Sequence, residues 1–345
     1  MAVVESPPHF IEPMLLTATQ QVPSSSAWAL EVKWDGMRAQ LRFDSRRVTV
    51  PSRTGRDCTG QFPELGAIAG TLDDQVVFDG ELVCFDDQGL PDFERLRARL
   101  RARTPAAVGG ALVAAPATLV IFDVLHLAGR ATRRDAYRER RALLDALALN
   151  APRWRAPRAF SIEEDLATIT RARHLEGVVA KRLDASYQPG RRSGAWLKHK
   201  HRHRERFTVT AWRPGHRHQP DEVLVARRAP DGTLRYAGGV CFGLGGEQRD
   251  QLRAALQRLE EPTRRRSRVR RARPLLEVDI DSNGRPGGPL RDPCCATWRL
   301  EGMRPPYEAL LATLRRSMRG HDGYEPMRPN RILQARRRST RISPS

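Results

Sequence analysis

Between Trp28 and Phe43 the chain carries the pattern that most limits its fold. An apolar run, Trp28 to Val32, enters Lys33-Trp34-Asp35-Gly36, and beyond the glycine Met37, Ala39, Leu41 and Phe43 alternate with Arg38, Gln40 and Arg42. A short apolar run and a strict two-residue alternation, split by a tight glycine turn, read as strand, turn, strand. Strand signals recur at 76–85, 118–126, 177–182 and 195–199, and helical periodicity at 93–101, 133–149 and 163–175. Up to about residue 203 this predicts an antiparallel α+β domain.

The pattern changes after the charged link His201-Arg202-His203-Arg204. Short strands are expected at 207–212, 223–228 and 235–241, with Pro230-Asp231-Gly232 as a turn, followed by a helix at 247–259 and a strand at 275–280. That order is similar to the small β-barrel of an OB-fold and is assigned to 204–318. A length of 345 residues accommodates two such domains. The arginine run at 262–273 and the Arg-, Pro- and Ser-rich tail 319–345 lie outside the periodic segments and are expected to be mobile and basic.

Several classes are excluded early. The longest apolar run, 111–127, is broken by Pro116 and Asp123, so neither a membrane span nor export is expected. Five scattered cysteines, at 58, 84, 241, 294 and 295, form no disulfide framework, which fits a reducing cytoplasm. The histidines at 199, 201, 203, 216 and 218 lack the spacing of a structural zinc site. A net charge of +20 points to a polyanionic partner, nucleic acid by default.

The basic residues divide unevenly. Of 60, only Lys33, Lys181, Lys198 and Lys200 are lysine, and the other 56 are arginine. Arginine stays protonated and cannot act as an amine nucleophile, whereas lysine can, so the surviving lysines are candidates for chemistry. Each lies in a short motif. Lys33-Trp34-Asp35-Gly36-Met37-Arg38 is followed in order by Ser52-Arg53-Thr54-Gly55, Phe78-Asp79-Gly80-Glu81, Ile121-Phe122-Asp123, the segment Glu176 to Lys181, and Trp196-Leu197-Lys198-His199-Lys200.

This ordered set resembles the motif series of the covalent nucleotidyltransferases, and within them the small bacterial ATP-dependent DNA ligases of the ligase C type and the ligase module of ligase D. The resemblance runs over about residues 10–318 and implies an antiparallel-sheet adenylation domain followed by an OB-fold. It implies that Lys33 attacks the α-phosphate of ATP to give lysyl-AMP, a step that requires the neutral amine. Lys198 and Lys200, two apart on one strand and hence on one face, would hold the phosphate. Glu81 and Glu176 match the acidic positions near ribose and metal, where hard oxygen ligands suit Mg²⁺ or Mn²⁺. Glu31 matches an adenine-contacting position, Phe122 and Val179 would sandwich the base, and Arg38 and Arg53 would hold ribose or the 5′-phosphate of a nick. Lys181 ends its motif at a variable position and is assigned at most a backbone contact to DNA. In the closing motif Asp292 stands where a basic or histidine-like residue is usual, leaving Arg304 as the candidate that orients pyrophosphate.

The expected function is therefore sealing of nicked duplex DNA, in repair, by a monomer recruited by a repair polymerase or end-binding protein. An RNA ligase, a capping-type guanylyltransferase using GTP, and a non-catalytic basic nucleic-acid binder are the alternatives. No P-loop of the GxxxxGK[ST] form is present.

Overall fold

The computed structural model describes residues 6–300 apart from 216–219, 242–245, 263–267, 284–285, 289 and 291–292. Strands β1 (Leu15–Ala18), β2 (Trp28–Val32), β3 (Met37–Phe43), β4 (Val48–Thr49) and β5 (Val76–Cys84) precede helices α1 (Phe93–Arg101) and α2 (Pro105–Ala114). After β6 (Ala117–Leu127) and β7 (Arg130–Ala131) come α3 (Tyr137–Ala146), β8 (Asn150–Ala151), β9 (Trp154–Arg155) and α4 (Leu166–Ala172). Then follow β10 (Gly177–Arg182), β11 (Arg192–Lys200), β12 (His203–Pro214), β13 (Pro220–Arg228) and β14 (Leu234–Cys241). Helix α5 (Gly246–Leu259), β15 (Arg270–Ser282) and β16 (Cys294–Leu300) complete the described elements.

These strands form three sheets. The first has the order β1-β11-β10-β2, the second β4-β3-β5-β6-β9-β8 with β7 beside β6, and the third β14-β13-β12-β15-β16. The hairpin implied by Trp28 to Phe43 does not form: β2 pairs with β10 in the first sheet, and β3 with β5 in the second. Lys33 to Gly36 is a crossover between sheets. Its start is held by the Lys33 N–H donating to the Gly177 carbonyl at 2.9 Å. Its end lies so close to β5 that a Cβ on Gly36 would stand 2.1 Å from the Leu82 carbonyl oxygen, so the glycine answers to close approach.

Pairing is also not uniformly antiparallel. β1 runs parallel to β11, and β6 parallel to β9. Both pairs are separated by long connections, and only a tight hairpin obliges neighbours to run in opposite directions. The second sheet carries the largest core, with Leu41, Phe78, Leu82, Leu119 and Ile121 fully buried. Its helix α1 starts on Asp92, whose carboxylate accepts from the Glu94 and Arg95 amides and satisfies donors the first turn leaves free.

The chain enters the third sheet at His203. That sheet is antiparallel throughout, and Phe207, Val209, Trp212, Val225 and Val278 form one buried cluster with Leu252, Leu256 and Leu259 of α5. Residues 301–345, including Arg304 and the basic tail, lie outside the described residues, as do His216, His218 and Asp292. Among the described residues no helix is long and apolar enough to cross a membrane.

Candidate active site

Register explains why the motifs meet. Across the first sheet Glu31 stands opposite Val179, and Val179 opposite Lys198; along the same strands, Lys181 is opposite Trp196, and Gly177 opposite Lys200. Side chains two apart share a face, so Glu31, Lys33, Val179, Lys181, Trp196, Lys198 and Lys200 belong to the same face of this sheet. The second sheet contributes Arg38 and Glu81, which are direct partners on β3 and β5. Phe122 is the extra residue of a bulge in β6, where Asp79 pairs with Asp123 and Gly80 with Ile121. A bulge re-aims a side chain, and Phe122 turns into the space between the sheets.

That space is a pocket lined by Glu31, Lys33, Trp34, Arg38, Glu81, Phe122, Val179, Lys181 and Trp196, with Leu16 and Val32. At one end the Lys33 ammonium donates to Glu176 Oε2 at 2.5 Å, and Lys200 Nζ lies 3.1 Å from Glu176 Oε1. Lys198 stands in the field of both lysines; burial, then Lys200 and Lys33, lower its pKa. The Glu81 carboxyl is pushed up to about 8 by burial, with Lys33 and Arg38 opposing and Glu176 and Asp79 reinforcing. Two carboxylates thus share a desolvated region rich in ammonium groups.

At the other end the polar groups are deeply buried. Lys181 is 1% exposed, and its Nζ lies 2.8 Å from both Glu31 oxygens and 2.9 Å from the Phe122 carbonyl. The Tyr137 hydroxyl donates to Glu31 Oε1. Burial lowers the Lys181 pKa and Glu31 opposes that shift. The expected DNA-backbone role for Lys181 is therefore wrong: its amine is enclosed by the rings of Trp196, Phe122 and Tyr137, at 4.4, 4.6 and 4.9 Å from their centroids, and cannot reach a duplex. The sequence held the signal, because Lys181 has the same parity as Val179 along its strand. Tyr137 and Trp196 had no signal of their own, since one sits on a helix that only the fold brings over the pocket and the other reads as an ordinary core aromatic.

Arg38 reaches the pocket wall, but its guanidinium forks onto Asp79 at 3.0 and 2.6 Å and donates to the Met14 carbonyl at 2.6 Å. The Arg53 side chain is exposed and does not line the pocket, although its N–H donates to the Arg38 carbonyl at 2.9 Å. His201 is buried, with Nε2 2.8 Å from Thr170 Oγ1, and burial with Arg171 and the neighbouring histidines holds its pKa down at about 4. Among the described residues no group of three or more His, Cys, Asp or Glu converges as a metal cage.

Residues 13–200, which contain every strand of this pocket, match the family model for the ATP dependent DNA ligase domain. The chain belongs to the ATP-dependent DNA ligase family. DNA ligase C1 of Mycolicibacterium smegmatis is 34% identical over 267 residues, covering 73% of this chain and 74% of that protein. The multifunctional non-homologous end joining DNA repair protein LigD of Mycobacterium tuberculosis is 34% identical over 310 residues, 86% of this chain. The chain spans only 38% of the length of that relative. Among solved structures, a mycobacterial DNA ligase D complexed with ATP superposes with a TM-score of 0.52 at 32% identity, covering 84% of this chain and 95% of that one. The ligase-family sheets are thus those that form the pocket.

Proposed function

We propose that this ATP-dependent DNA ligase seals 5′-phosphate/3′-hydroxyl nicks in duplex DNA through a lysyl-AMP intermediate on Lys33, in end-joining repair. The observation that carries the reading is the convergence of Lys33, Lys198 and Lys200 around Glu176 at one end of a pocket walled by Phe122 and Val179. A mycobacterial DNA ligase D has been solved with ATP, and in this chain Phe122 and Val179 line the pocket in which the base would lie, with the lysines at the end where the α-phosphate would sit.

Across the three transfers the Lys33 amine and the 3′-hydroxyl each release one proton to solvent, and Lys33 takes one up as it leaves. The neutral Lys33 amine attacks the α-phosphorus, the N–P bond forms and the P–O bond to pyrophosphate breaks. An oxygen of the nick 5′-phosphate then displaces Lys33 to give adenylated DNA, and the 3′-hydroxyl attacks that 5′-phosphate and expels AMP. Lys198 and Lys200 hold the non-bridging oxygens as charge shifts onto the leaving group. ATP binding must first break the 2.5 Å Lys33–Glu176 contact, which occupies the nucleophile's nitrogen. Glu81 lines the pocket and Glu176 holds Lys33 at its end, so the two carboxylates present hard oxygens of the kind a divalent cation takes. Mg²⁺ or Mn²⁺, bound by these carboxylates and by phosphate oxygens, would supply charge neutralisation to the phosphates.

We assign residues 1–203 to the adenylation domain and 204–318 to an OB-fold. The five antiparallel strands β12 to β16, with α5 inserted between the third and the fourth, support that assignment. Arg304 is the proposed pyrophosphate-orienting residue, Arg53 a nick-phosphate contact, 319–345 a DNA-affinity tail, and a repair polymerase or end-binding protein the proposed partner.

The test is incubation with α-labelled ATP and, separately, GTP, followed by denaturing electrophoresis. Wild type takes label from ATP in a bond that is acid-labile and alkali-stable. Lys33→Arg is as inactive as Lys33→Ala despite its kept charge. Nucleotide transfer by the arginine variant overturns the assignment.

A further inference from the structure

In the wall of the pocket, Glu31 is gripped by two buried donors. Tyr137 O–H and Lys181 N–H both point at its carboxylate, so neither carboxylate oxygen can act as anything but an acceptor toward a third group. The grip is itself braced. Lys181 spends a further N–H on the Phe122 carbonyl, the backbone of the bulge that aims the Phe122 ring. Three aromatic rings close over its amine, so water cannot replace it. Tyr137 begins α3, and that helix is anchored one turn later by Arg140, whose guanidinium forks onto Asp123 at 2.7 and 2.9 Å with both side chains fully buried. Asp123 is the residue next to Phe122. Ring wall and carboxylate are therefore set by one connected group of side chains.

Resting on the ligase reading above, we propose that Lys181 and Tyr137 are positioning residues that hold Glu31 as a fixed acceptor and thereby set the preference of the pocket for a purine with an amino group, rather than an oxo group, at position 6. A 6-amino group donates to the carboxylate. A 6-oxo group would bring a second acceptor against a carboxylate that is only 10% exposed, leaving both poorly paired, and sites of that kind discriminate strongly. Without the grip, Glu31 can rotate away from the oxo group, so the penalty on the wrong base is relieved while the right base loses its aligned partner.

The measurement is the ratio of self-adenylation efficiency with α-labelled ATP to that with α-labelled ITP, which differs at the 6-position, in wild type, Tyr137→Phe and Lys181→Met. Tyr137→Phe removes one hydroxyl without changing shape, so it carries the test even where Lys181→Met fails to fold, as thermal melting would show. The ATP:ITP ratio should fall at least about five-fold in Tyr137→Phe and about ten-fold or more in Lys181→Met, through a raised KM for ATP with kcat less affected, as loss of a hydrogen bond to a charged group permits. A residue that merely stabilised the fold would lower transfer from both nucleotides together and leave the ratio unmoved. An unmoved ratio in Tyr137→Phe, with wild type fully active, overturns the inference and leaves the ligase reading standing. No label on wild type from either nucleotide overturns the ligase reading itself.

Discussion

Arginine does different work in the two pocket-forming sheets and in the third sheet. Around the former, three arginines are interior: Arg99 of α1 and Arg140 of α3 are fully buried and Arg38 of β3 nearly so, each on a carboxylate of Glu64, Asp123 or Asp79, while Arg130, Arg158 and Arg182 of the same region pair at the surface. In the third sheet Arg204, Arg206 and Arg213 are half or more exposed, and their partners Asp281, Asp279 and Glu222 lie on neighbouring strands and stay partly exposed. A buried guanidinium costs desolvation that only its own carboxylate offsets, so those pairs are fixed parts of the fold. Exposed pairs contribute little and exchange readily, so the same residue type can give up its carboxylate for a phosphate. One residue type thus makes both fixed interior pairs and exchangeable surface pairs, and the latter are where the proposed DNA contact is to be tested.

The largest expected effect comes from breaking the interior class. Asp123→Ala leaves Arg140 buried without a counter-charge and should cost about 3–5 kcal/mol of stability, read as a lower denaturant midpoint at unchanged slope. Arg140→Met with Asp123→Leu together should recover much of that loss, since no charge is then stranded. A loss for Asp123→Ala as small as that of an exposed pair would erase the difference between the two regions.

Next in size is Glu176→Ala, at the boundary between fixed and exchangeable pairs. Its carboxylate holds Lys33 at 2.5 Å and Lys200 at 3.1 Å, yet the three side chains retain 12 to 25% exposure. Stability should change little while self-adenylation falls about a hundred-fold, some 2.7 kcal/mol of transition-state stabilisation. Sealing of a pre-adenylated nick should slow at least about ten-fold, near 1.4 kcal/mol. Unchanged single-turnover sealing would make Glu176 scaffold.

How much of this was written in the sequence follows from which forces are local. Alternation at 37–43 placed that strand, because period two survives in any context. Residue type and order singled out Lys33, Lys198, Lys200, Glu31 and Glu176, which the structure brings to one face of the first sheet or its end, whereas the buried place of Lys181 was misread. Sheet membership was not: nothing in Lys33 to Gly36 distinguishes a hairpin turn from a crossover, because what decides it is the Leu82 carbonyl pressed against Gly36. Helix α2 escaped notice because Gly109, Gly110 and Val113 break its periodicity, although Thr104 accepts from the Ala107 amide at 3.2 Å and Pro105 occupies the first turn, the usual start signals. Arg38 reads as a ligand contact and is tied into an ion pair with buried Asp79, a commitment visible only when Asp79 is in place.

Glu81 sharpens the comparison from the acidic side. It stands among cations, yet its pKa is pushed up to about 8, above the ordinary glutamate range. The folded state therefore holds this proton where the unfolded chain has released it, and stability falls as pH rises from about 4.5 to about 8. Glu81→Gln removes that dependence, so its melting temperature should match wild type near pH 5 and exceed it near pH 8. A variant whose melting curve tracks wild type across the window would mean that the cations, and not burial, govern this carboxyl.

The smallest expected change in stability is at the β12–β15 seam. Arg204 forks onto Asp281 at 2.8 Å twice, and Arg206 Nε reaches Asp279 at 3.0 Å, all on a sheet surface open to solvent. Replacing both arginines by Gln should leave the denaturation midpoint where it is, because water solvates the freed carboxylates. Nicked-DNA affinity should nonetheless fall, and the slope of log K against log salt should become shallower by about 0.9 for each phosphate that is no longer neutralised. Chemistry at saturating DNA should persist, since neither residue approaches the pocket. A fall in stability with an unchanged salt slope would reverse the assignment: these exposed arginines would then hold the sheet together, as the interior ones do, and the polyanion surface would have to be sought elsewhere in the chain.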